Sequence, residues 1–436
     1  MLAHRYGAYA LGCQDWRSVS LFLRPEIDTP RLMLRSLLPF AFVAFVLQFC
    51  IPNVAAQDRA YVLCEGAQDI YSGAIMEFPR VGFIDLSAEE PVFDVLHIFE
   101  GQAYASDLLL DDAGSVLYVA ADDVVYRLDA TTGAVLAEQA LQGARRLALD
   151  GGRLFVSRGD YDPVTWASVP FDHYLVALDA ETLAWDAGWE SDGTTGPAWA
   201  TEGVCTMDGA LFVGVNNAFA YGEEVGLIGR LELETGEYSE VDLGEEGLNP
   251  VHLFVAGDGV VSLNAQQYDG TSLSRREADG TVSTVAVADV TAGCGAAALH
   301  EGGVMYQVYG EGDFRKADGQ TLEALDGWEG NGNSVYSMAI AQGNRVLLGM
   351  TDFSTSGYVE LWDLEGGLLW SCEVGVSPGR MVVSSAVADV PSLSEDRGVV
   401  VGAFDVLGRP LPLDAPGFAI QIWSNGSVTK AFRTAD

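Results

Sequence analysis

The sequence has little positive charge. It contains 23 Lys and Arg residues against 62 Asp and Glu residues, a formal net charge of −39 at pH 7. Such a surface repels phosphate backbones, which argues against nucleic-acid binding. The acidity fits either a soluble extracellular protein from a salty environment or a binder of divalent cations. No acidic cluster has calcium-loop spacing, Asp160 and Asp162 being the nearest approach, so the first interpretation is favoured.

Cysteine and histidine are also scarce, with 6 and 5 residues. Cys13 and Cys50 precede the predicted mature chain, and the other four lie far apart on different repeats: Cys64, Cys205, Cys294 and Cys372. Their spacing fits no zinc site. Disulfides stay possible in an oxidising compartment, but separate buried thiols within strands are the favoured interpretation. We find no His–carboxylate cluster with metal-ligand spacing and no paired acid and base, so no metal or catalytic residue is predicted.

Long apolar runs are confined to the N-terminus. Arg35, the apolar segment 37–49 and the small residues 54–56 together are typical of a secretory signal peptide. The run is too short for a membrane span. We therefore predict a misassigned extension over 1–32, a signal peptide over 33–56, and no transmembrane span once the leader is removed. Cys50 leaves a lipoprotein as an alternative, although the preceding Phe49 is bulky for lipidation.

Short apolar strands, by contrast, recur along the whole chain. Segments of the form Gly-x-apolar-aromatic-apolar return at a spacing of about 40–55 residues, which is typical of β-propellers. Inner strands are predicted at 105–110, 144–149, 202–207, 250–255, 295–300, 335–340 and 379–384. Second strands are predicted at 60–63, 116–119, 153–156, 210–213, 260–263, 304–307 and 345–348. Seven strands of each kind predict an all-β fold, a seven-bladed β-propeller.

The order of the strands also predicts how the ring closes. Segment 60–63 has no inner strand before it, and segment 379–384 has no second strand after it, so the two must pair within one blade. The acidic residues after the third strands are interpreted as turn caps, not catalytic groups. These are Asp129, Asp179, Glu232 and Asp363. The segment Gly375-Val-Ser377-Pro-Gly379 matches a nucleophile elbow, but it leads into a strand and is interpreted as a turn.

The pattern resembles the YVTN/YncE-like family of secreted seven-bladed propellers, of the cell-surface type with WD40-like repeats. The opening Tyr61-Val-Leu-Cys-Glu-Gly66 and the late Val374-Gly-Val-Ser-Pro-Gly379 carry the resemblance. It covers about residues 58–385, which we predict as the propeller domain. Because the match is at the level of the repeat, it implies the fold more strongly than the function.

The C-terminal region differs in composition from the repeats. We predict a linker over 386–398 and a small β-sandwich-like domain over 399–436. The segment Phe404–Arg409 and the terminal strand resemble the C-terminal sorting domain of type IX secretion substrates, through Asp405, Gly408, Arg409, Gly426 and Lys430. The resemblance implies that the type IX secretion machinery is a partner and that the protein is secreted or held at the cell surface. An eighth β-element packed on the propeller is the alternative.

Ligands of propellers usually sit at one end of the central channel, on loops that lead into inner strands or join second to third strands. Here those loops are long and rich in aromatic and amide side chains. The candidate ligand-binding residues are Arg145, Tyr161, Trp166, Trp199, Asn216, Tyr221, His252, Tyr268, Tyr336 and Arg380. Arg145, Tyr336 and Arg380 are favoured because basic or phenolic groups at channel ends are scarce in so acidic a chain.

These features favour a secreted or cell-surface protein that is not an enzyme. It would bind a ligand or partner through the loops at this end of the channel, the funnel face. The partner would be a small molecule, a glycan or a surface protein, and no cofactor is assigned. One alternative is a propeller enzyme, either a quinoprotein-like dehydrogenase or a calcium-dependent lactonase-type hydrolase. The other is an adhesive or structural surface protein.

Overall fold

The computed structural model describes residues 58–69, 72–162, 164–292, 295–330, 332–365 and 367–384, and the backbone of the C-terminal strands. The predicted extension, signal peptide and linker lie outside the described residues, as do Cys13, Cys50 and Cys294. The boundaries of the predicted domains therefore stay predictions.

Seven four-stranded antiparallel sheets form the blades of a propeller. The chain begins with β1 (Arg59–Cys64), β2 (Ala67–Gln68), β3 (Ile75–Glu77), β4 (Arg80–Asp85) and β5 (Phe93–Ile98). Blade 2 comprises β6 (Asp107–Leu110), β7 (Val116–Ala121), β8 (Val124–Asp129) and β9 (Val135–Ala140). Blade 3 comprises β10 (Ala144–Asp150), β11 (Arg153–Arg158), β12 (Leu175–Asp179) and β13 (Trp185–Trp189). Blade 4 comprises β14 (Thr201–Met207), β15 (Ala210–Val215), β16 (Leu227–Glu232) and β17 (Tyr238–Asp242).

A short 3-10 turn, Glu245–Gly247, precedes blade 5. Blade 5 comprises β18 (Pro250–Ala256), β19 (Gly259–Asn264), β20 (Thr271–Arg276) and β21 (Val282–Ala288). Blade 6 comprises β22 (Ala297–His300), β23 (Gly303–Tyr306), β24 (Phe314–Asp318) and β25 (Ala324–Trp328). Blade 7 comprises β26 (Ser337–Ala341), β27 (Arg345–Met350), β28 (Tyr358–Asp363) and β29 (Gly367–Glu373), and β30 (Pro378–Ser384) follows. Within the described residues no helix is long and apolar enough to cross a membrane.

Blade 1 is built from both ends of the propeller segment. Its strand order is β30-β1-β4-β5, and β1 pairs with β30 in a register that places Tyr61 opposite Val382. The inner strands contact one another in the cyclic order β30, β6, β10, β14, β18, β22, β26 and back to β30. The predicted seven-bladed propeller, closed by its terminal strands, is therefore confirmed. Closure gives β1 the inner partner that completes blade 1.

The hydrophobic core consists of clusters that lie between neighbouring blades. Second strands such as β7 and β15 are buried along their whole length, because both faces of each sheet pack against another blade. One cluster joins Phe155 of blade 3 to Leu211 and Val213 of blade 4. Another joins Val62 of blade 1 to Leu347 of blade 7, so the closing interface is packed like the others. Packing between blades thus holds the inner strands around the channel.

Three of the four predicted turn caps are confirmed, those of Asp129, Asp179 and Asp363. The prediction is wrong for Glu232, whose carboxylate contacts the guanidinium of Arg230 instead. Oδ1 of Asp129 accepts hydrogen bonds from the backbone N–H of Thr132 at 2.7 Å and from its hydroxyl at 2.8 Å. These bonds hold the pKa of the exposed Asp129 carboxyl below its usual value. Asp179 caps Thr182 in the same way. Ser377, in the elbow-like segment, adopts a positive φ of 55° immediately before β30, which agrees with the predicted turn.

The C-terminal strands form a separate four-stranded antiparallel sheet in the order β32-β31-β33-β34. They are β31 (Val400–Phe404), β32 (Pro410–Leu411), β33 (Gly417–Trp423) and β34 (Val428–Arg433). Lys430 lies in β34 opposite Ile420. The other sorting-motif residues lie outside the described residues: Asp405, Gly408, Arg409 and Gly426.

Candidate functional site

The starts of the inner strands meet at one end of the channel, which we call the mouth. A cavity of about 140 Å³ lies there. Inner strands β6, β22 and β26 begin two residues later than predicted. Residues just before them border the cavity, namely Ala105, Ser106, Gly295 and Tyr336. The charged and aromatic side chains of its lining are Glu65, Tyr104, Arg145, Arg146, His252, Tyr336 and Arg380. Four of the predicted residues, Arg145, His252, Tyr336 and Arg380, are therefore brought together.

Irregularities in strand pairing explain why consecutive arginines share this cavity. Side chains alternate between the two faces of a regular strand, but a bulge breaks the alternation and redirects them. The pairing of β10 with β11 shifts between Ala144 and Leu147, which is where Arg145 and Arg146 lie. The pairing of β14 with β15 shifts in the same way between Thr201 and Val204, around Glu202. Bulges at the starts of these strands thus bring both arginines and Glu202 to the channel.

Ion pairs join these residues into one network. Oε2 of Glu202 lies 3.1 Å from Nε of Arg145, and its Oε1 lies 3.2 Å from Nη2 of Arg145 and 3.0 Å from Nε of Arg146. Burial disfavours the charged Glu202 carboxylate, but the two arginines outweigh it and hold its pKa below the usual value. Arg146 also donates to the carbonyl of Ser106. Both arginines are therefore committed to partners within the protein.

Arg380 is less committed than the other two arginines. Its Nε lies 2.9 Å from Oδ1 of Asp107, although the contact is too bent to count as a hydrogen bond. Asp107 is itself fixed, because its Oδ2 accepts a 2.8 Å hydrogen bond from the backbone N–H of Leu147. Among the described residues, no hydrogen bond engages the two terminal nitrogens of Arg380, and 28% of its side chain is exposed. Those nitrogens can donate to a bound molecule.

Glu65 is the third carboxyl group of the mouth. It directly follows β1, and its backbone N–H donates to the carbonyl of Ser377 at 2.8 Å. The hydroxyl of Tyr336 donates to Oε2 of Glu65 at 2.6 Å. Burial raises the pKa of Glu65, which the bond from Tyr336 and the nearby arginines oppose only in part. Glu65 therefore favours its neutral form more than an ordinary glutamate does.

His252 lines the cavity as an uncharged side chain. Its Nε2 lies 3.1 Å from the carbonyl oxygen of Gly295, so the neutral ring donates there. Burial, together with repulsion from Arg380 and Arg146, lowers the pKa of His252 to about 3. The imidazole therefore stays uncharged at physiological pH. Within the described residues, no group of three or more His, Cys, Asp or Glu side chains is arranged to hold a metal ion.

Two other predicted residues, Tyr161 and Trp166, form an aromatic stack beside the mouth. Their ring centroids are 5.3 Å apart with an interplanar angle of 9°. Tyr161 also stacks on Phe219 at 6.3 Å, and Arg145 lies over the Phe219 ring at 5.3 Å. The stack is thus connected to the charged cavity through Phe219, a residue that the sequence reasoning did not single out as a candidate.

The remaining predicted residues lie outside the lining of the cavity. Asn216 is fully buried and donates to Oδ1 of Asn249 at 3.1 Å, so it braces two loops. Trp199, Tyr221 and Tyr268 are exposed on loops around the mouth. The side chains Glu65, Asp107, Arg146 and Glu202 complete the site and were not predicted. The Arg145-Arg146 pair at the start of a strand was a usable signal for the bulge. In a regular strand, consecutive side chains point to opposite faces, so both arginines could not reach the same cavity.

The described cysteines do not add chemistry to this site. Cys64, Cys205 and Cys372 are free, which agrees with the favoured interpretation of separate thiols. Burial raises the pKa of Cys64 and of Cys205 to about 12. Such thiols are poor nucleophiles because the thiolate is the reactive form.

Comparisons with known proteins support the fold. No protein-family model matches the sequence, and no curated relative matches it. A provisionally named 6-phosphogluconolactonase from Bacteroides fragilis is 14% identical with a TM-score of 0.51, over 77% of this chain and 100% of that one. A functionally unknown protein from Desulfotomaculum acetoxidans is 13% identical with a TM-score of 0.51, over 75% of this chain and 98% of that one. At such identities these likenesses establish the propeller fold alone.

Proposed function

We propose that this protein binds a small molecule through the channel mouth and that an anionic group of that molecule contacts Arg380. The observation that carries the proposal is the guanidinium of Arg380, which pairs with Asp107 through Nε while its two terminal nitrogens have no hydrogen-bond partner among the described residues. A guanidinium group presents a planar pair of donors that matches a carboxylate or a phosphate. The ligand would therefore be held by a bidentate contact with Arg380 in the lining of a polar cavity.

The charge balance of the mouth supports an anionic ligand. Arg145 and Arg146 share one carboxylate, that of Glu202, while Asp107 lies beside Arg380. The third carboxyl, that of Glu65, favours its neutral form more than an ordinary glutamate does, because burial raises its pKa. The mouth is therefore more positive than the rest of a chain whose net charge is −39. An anion is attracted to this point and repelled elsewhere.

A titration of the full chain tests the proposal. Acetate, propionate and inorganic phosphate would be titrated by calorimetry or NMR, with the neutral propionamide as a reference. We expect at least one anion to bind and propionamide not to bind, and we expect Arg380→Gln to weaken anion binding about tenfold or more. Arg153→Gln is the matched control, because Arg153 pairs with the exposed Asp186 outside the cavity. Equal anion binding by native protein and Arg380→Gln would contradict the proposal.

The cellular context of this activity is a further part of the proposal, and it rests on the sequence. The signal-peptide pattern supports export across the inner membrane, and the sorting-domain resemblance supports passage through the type IX machinery to the cell surface or the medium. The YVTN/YncE-like resemblance is consistent with such a location. Mass spectrometry of the secreted protein tests this account. Loss of the C-terminal segment is expected, and an intact C-terminus outside the cell would count against it.

A second candidate function is adhesion to a glycan. It is favoured by the Tyr161–Trp166 stack, because Trp166 keeps 58% of its side chain exposed and offers a flat apolar surface beside polar loops. A glycan array tests this alternative. Binding that Trp166→Ala abolishes and Arg380→Gln leaves intact would favour adhesion over the channel site.

The enzymatic alternatives have less support from the described residues. The name of the Bacteroides fragilis neighbour suggests a lactonase, but the likeness supports only a shared fold. The mouth pairs its carboxylates with arginines, an arrangement better suited to holding a ligand than to coordinating a cation. Stoichiometric calcium together with lactone hydrolysis by the purified protein would favour the enzyme.

A further inference from the structure

A second cavity adjoins the charged one and differs from it in chemistry. It has a volume of about 180 Å³ and is bordered mainly by apolar atoms, with Tyr309, Val335, Tyr336 and Phe353 in its lining. Tyr336 and Gly295 border both cavities, so the two spaces share a wall. We call the second space the aromatic pocket.

Tyr336 separates the two cavities and contacts a residue in the lining of each. Its hydroxyl donates to Glu65 on the charged side at 2.6 Å. Its ring packs edge-on against Phe353 in the aromatic pocket, with centroids 5.0 Å apart and an interplanar angle of 82°. One side chain therefore presents a polar group to the first cavity and an apolar ring to the second.

Phe353 is held in a backbone conformation that its own packing does not explain. Its φ is 63°, in the left-handed region that costs a bulky residue about 1–2 kcal/mol. Leu183 and Leu322 adopt the same conformation, but their side chains are almost completely buried, and burial offsets the cost. Phe353 is 60% exposed. Its ring therefore lacks the compensation that the two leucines have.

Hydrogen bonds fix the loop that carries this ring. The hydroxyl oxygen of Thr351 accepts from the backbone N–H of Phe353 at 2.8 Å. Oδ1 of Asp352 accepts from the backbone N–H groups of Ser354 and Thr355 at 2.9 and 2.7 Å. The opposite side of the pocket is braced by Gln307, whose Oε1 accepts from the backbone N–H of Val335 at 2.7 Å. The pocket is thus bordered by braced backbone, and an exposed ring stands at its edge.

We propose that the ligand of the channel mouth is an amphiphilic anion, with its acidic group on Arg380 and a ring-sized apolar body in the aromatic pocket between Tyr336, Tyr309 and Phe353. This inference rests on the proposed anion site. The volume agrees with it, because an apolar cavity of about 150 Å³ is enough to hold a benzene ring. Tyr309, which is 74% exposed, and Phe353 would both lose exposed apolar surface on binding.

Three probes separate the two halves of the site in the full chain. They are 3-phenylpropionate, with both parts, propionate, with the acid only, and 3-phenylpropan-1-ol, with the ring only. Calorimetric titration is expected to find 3-phenylpropionate bound at least about tenfold more tightly than either partial probe, since burying a ring adds favourable free energy.

Variants assign the contribution of each half. Phe353→Gly removes the ring and suits the positive φ, so it should fold; it should weaken 3-phenylpropionate about tenfold and leave propionate unchanged. Tyr309→Ala, at an exposed position, is expected to act in the same direction. Trp185→Ala is the matched control, because Trp185 is an exposed aromatic residue on the outer strand β13 and should not affect any probe.

The outcomes distinguish this inference from the proposal on which it rests. If propionate binds through Arg380 but 3-phenylpropionate binds no tighter, or is insensitive to Phe353→Gly, the amphiphilic ligand is wrong and the anion site stands. If 3-phenylpropionate and 3-phenylpropan-1-ol bind equally and Arg380→Gln changes neither, the anion site is wrong as well. If none of the probes binds at millimolar concentration, both are wrong.

Discussion

The two ends of the propeller use the same kind of turn in different ways. At the end away from the mouth, Asp129 and Asp179 cap turns that join third to fourth strands, with Gly133 or the buried Leu183 at the position of positive φ. Beside the mouth, Oδ1 of Asp162 accepts hydrogen bonds from the hydroxyl and the backbone N–H of Thr165 in the same pattern. The residue with positive φ in this turn is Trp166, with φ 60°. Trp166 is exposed, so its conformational cost is not offset by burial.

The same contrast applies to charge. Away from the mouth, Arg153 and Asp186 form an exposed ion pair with atoms 3.5 Å apart. At the mouth, Arg145, Arg146 and Glu202 are largely removed from water. Arg275, which is buried away from the mouth, pairs with the more exposed Asp258 and Glu277. Ion pairs with both partners buried lower stability, and so do exposed aromatic rings in left-handed conformations. Their concentration at one end suggests that this end is shaped by ligand binding and the other by stability.

The largest effect is expected from removing Glu202. Glu202→Ala should lower the free energy of unfolding by about 3–5 kcal/mol, because two buried guanidinium groups lose their shared carboxylate. Asp186→Asn, at the exposed pair, should cost less than about 1 kcal/mol. Chemical unfolding followed by tryptophan fluorescence measures both. Equal losses of unfolding free energy in the two variants would contradict the difference between a buried ion pair at the mouth and an exposed one away from it.

A smaller loss is expected at the far end from Leu183→Gly. Deleting a fully buried leucine side chain costs about 2–5 kcal/mol, and the relief of a positive φ returns about 1 kcal/mol. The expected net loss is therefore about 2 kcal/mol, measured by the same unfolding experiment. A stability gain in this variant would show that burial does not compensate for the conformation of Leu183.

At the mouth, pH should change anion affinity through Glu65. Because burial raises the pKa of this carboxyl, deprotonation at rising pH adds a negative charge beside Arg380 and weakens an anionic ligand, by about tenfold for one nearby charge. Glu65→Gln should remove this dependence. His252 should not contribute above about pH 5, because its pKa is lowered to about 3. The same pH dependence of affinity in the native protein and in Glu65→Gln would contradict this role of Glu65.

The smallest effect is expected from Trp166→Gly. The loss of the stack on Tyr161 costs about 0.5–1.5 kcal/mol, and relief of the left-handed conformation returns about 1–2 kcal/mol. The free energy of unfolding should therefore stay within about 1 kcal/mol of the native value. A loss as large as that of Leu183→Gly would mean that Trp166 is a core residue and not an exposed platform.

The fold could be predicted from the sequence because each blade repeats a local pattern. The unpartnered segment 60–63 and the unpartnered segment 379–384 even predicted the closing pair of strands, which the register of Tyr61 opposite Val382 confirms. The turn caps at Asp129 and Asp179 followed from the preference of short acidic side chains for tight turns.

The site could be predicted only in part, because it depends on contacts between distant blades. Arg145, Tyr336 and Arg380 were found because such groups are rare at the starts of inner strands. Glu202 and Asp107 were missed, since an acidic residue attracts no attention in a chain with 62 of them. The aromatic pocket could not be predicted either, because Tyr336 and Phe353 meet across a loop whose conformation no local pattern indicates.

The most direct test is a crystal structure of the full chain grown with 3-phenylpropionate. We predict that the carboxylate lies about 3 Å from the terminal nitrogens of Arg380 and that the phenyl ring lies between Tyr336, Tyr309 and Phe353. A carboxylate bound elsewhere, with the mouth unchanged, would contradict the central claim that Arg380 is the anchor of this site.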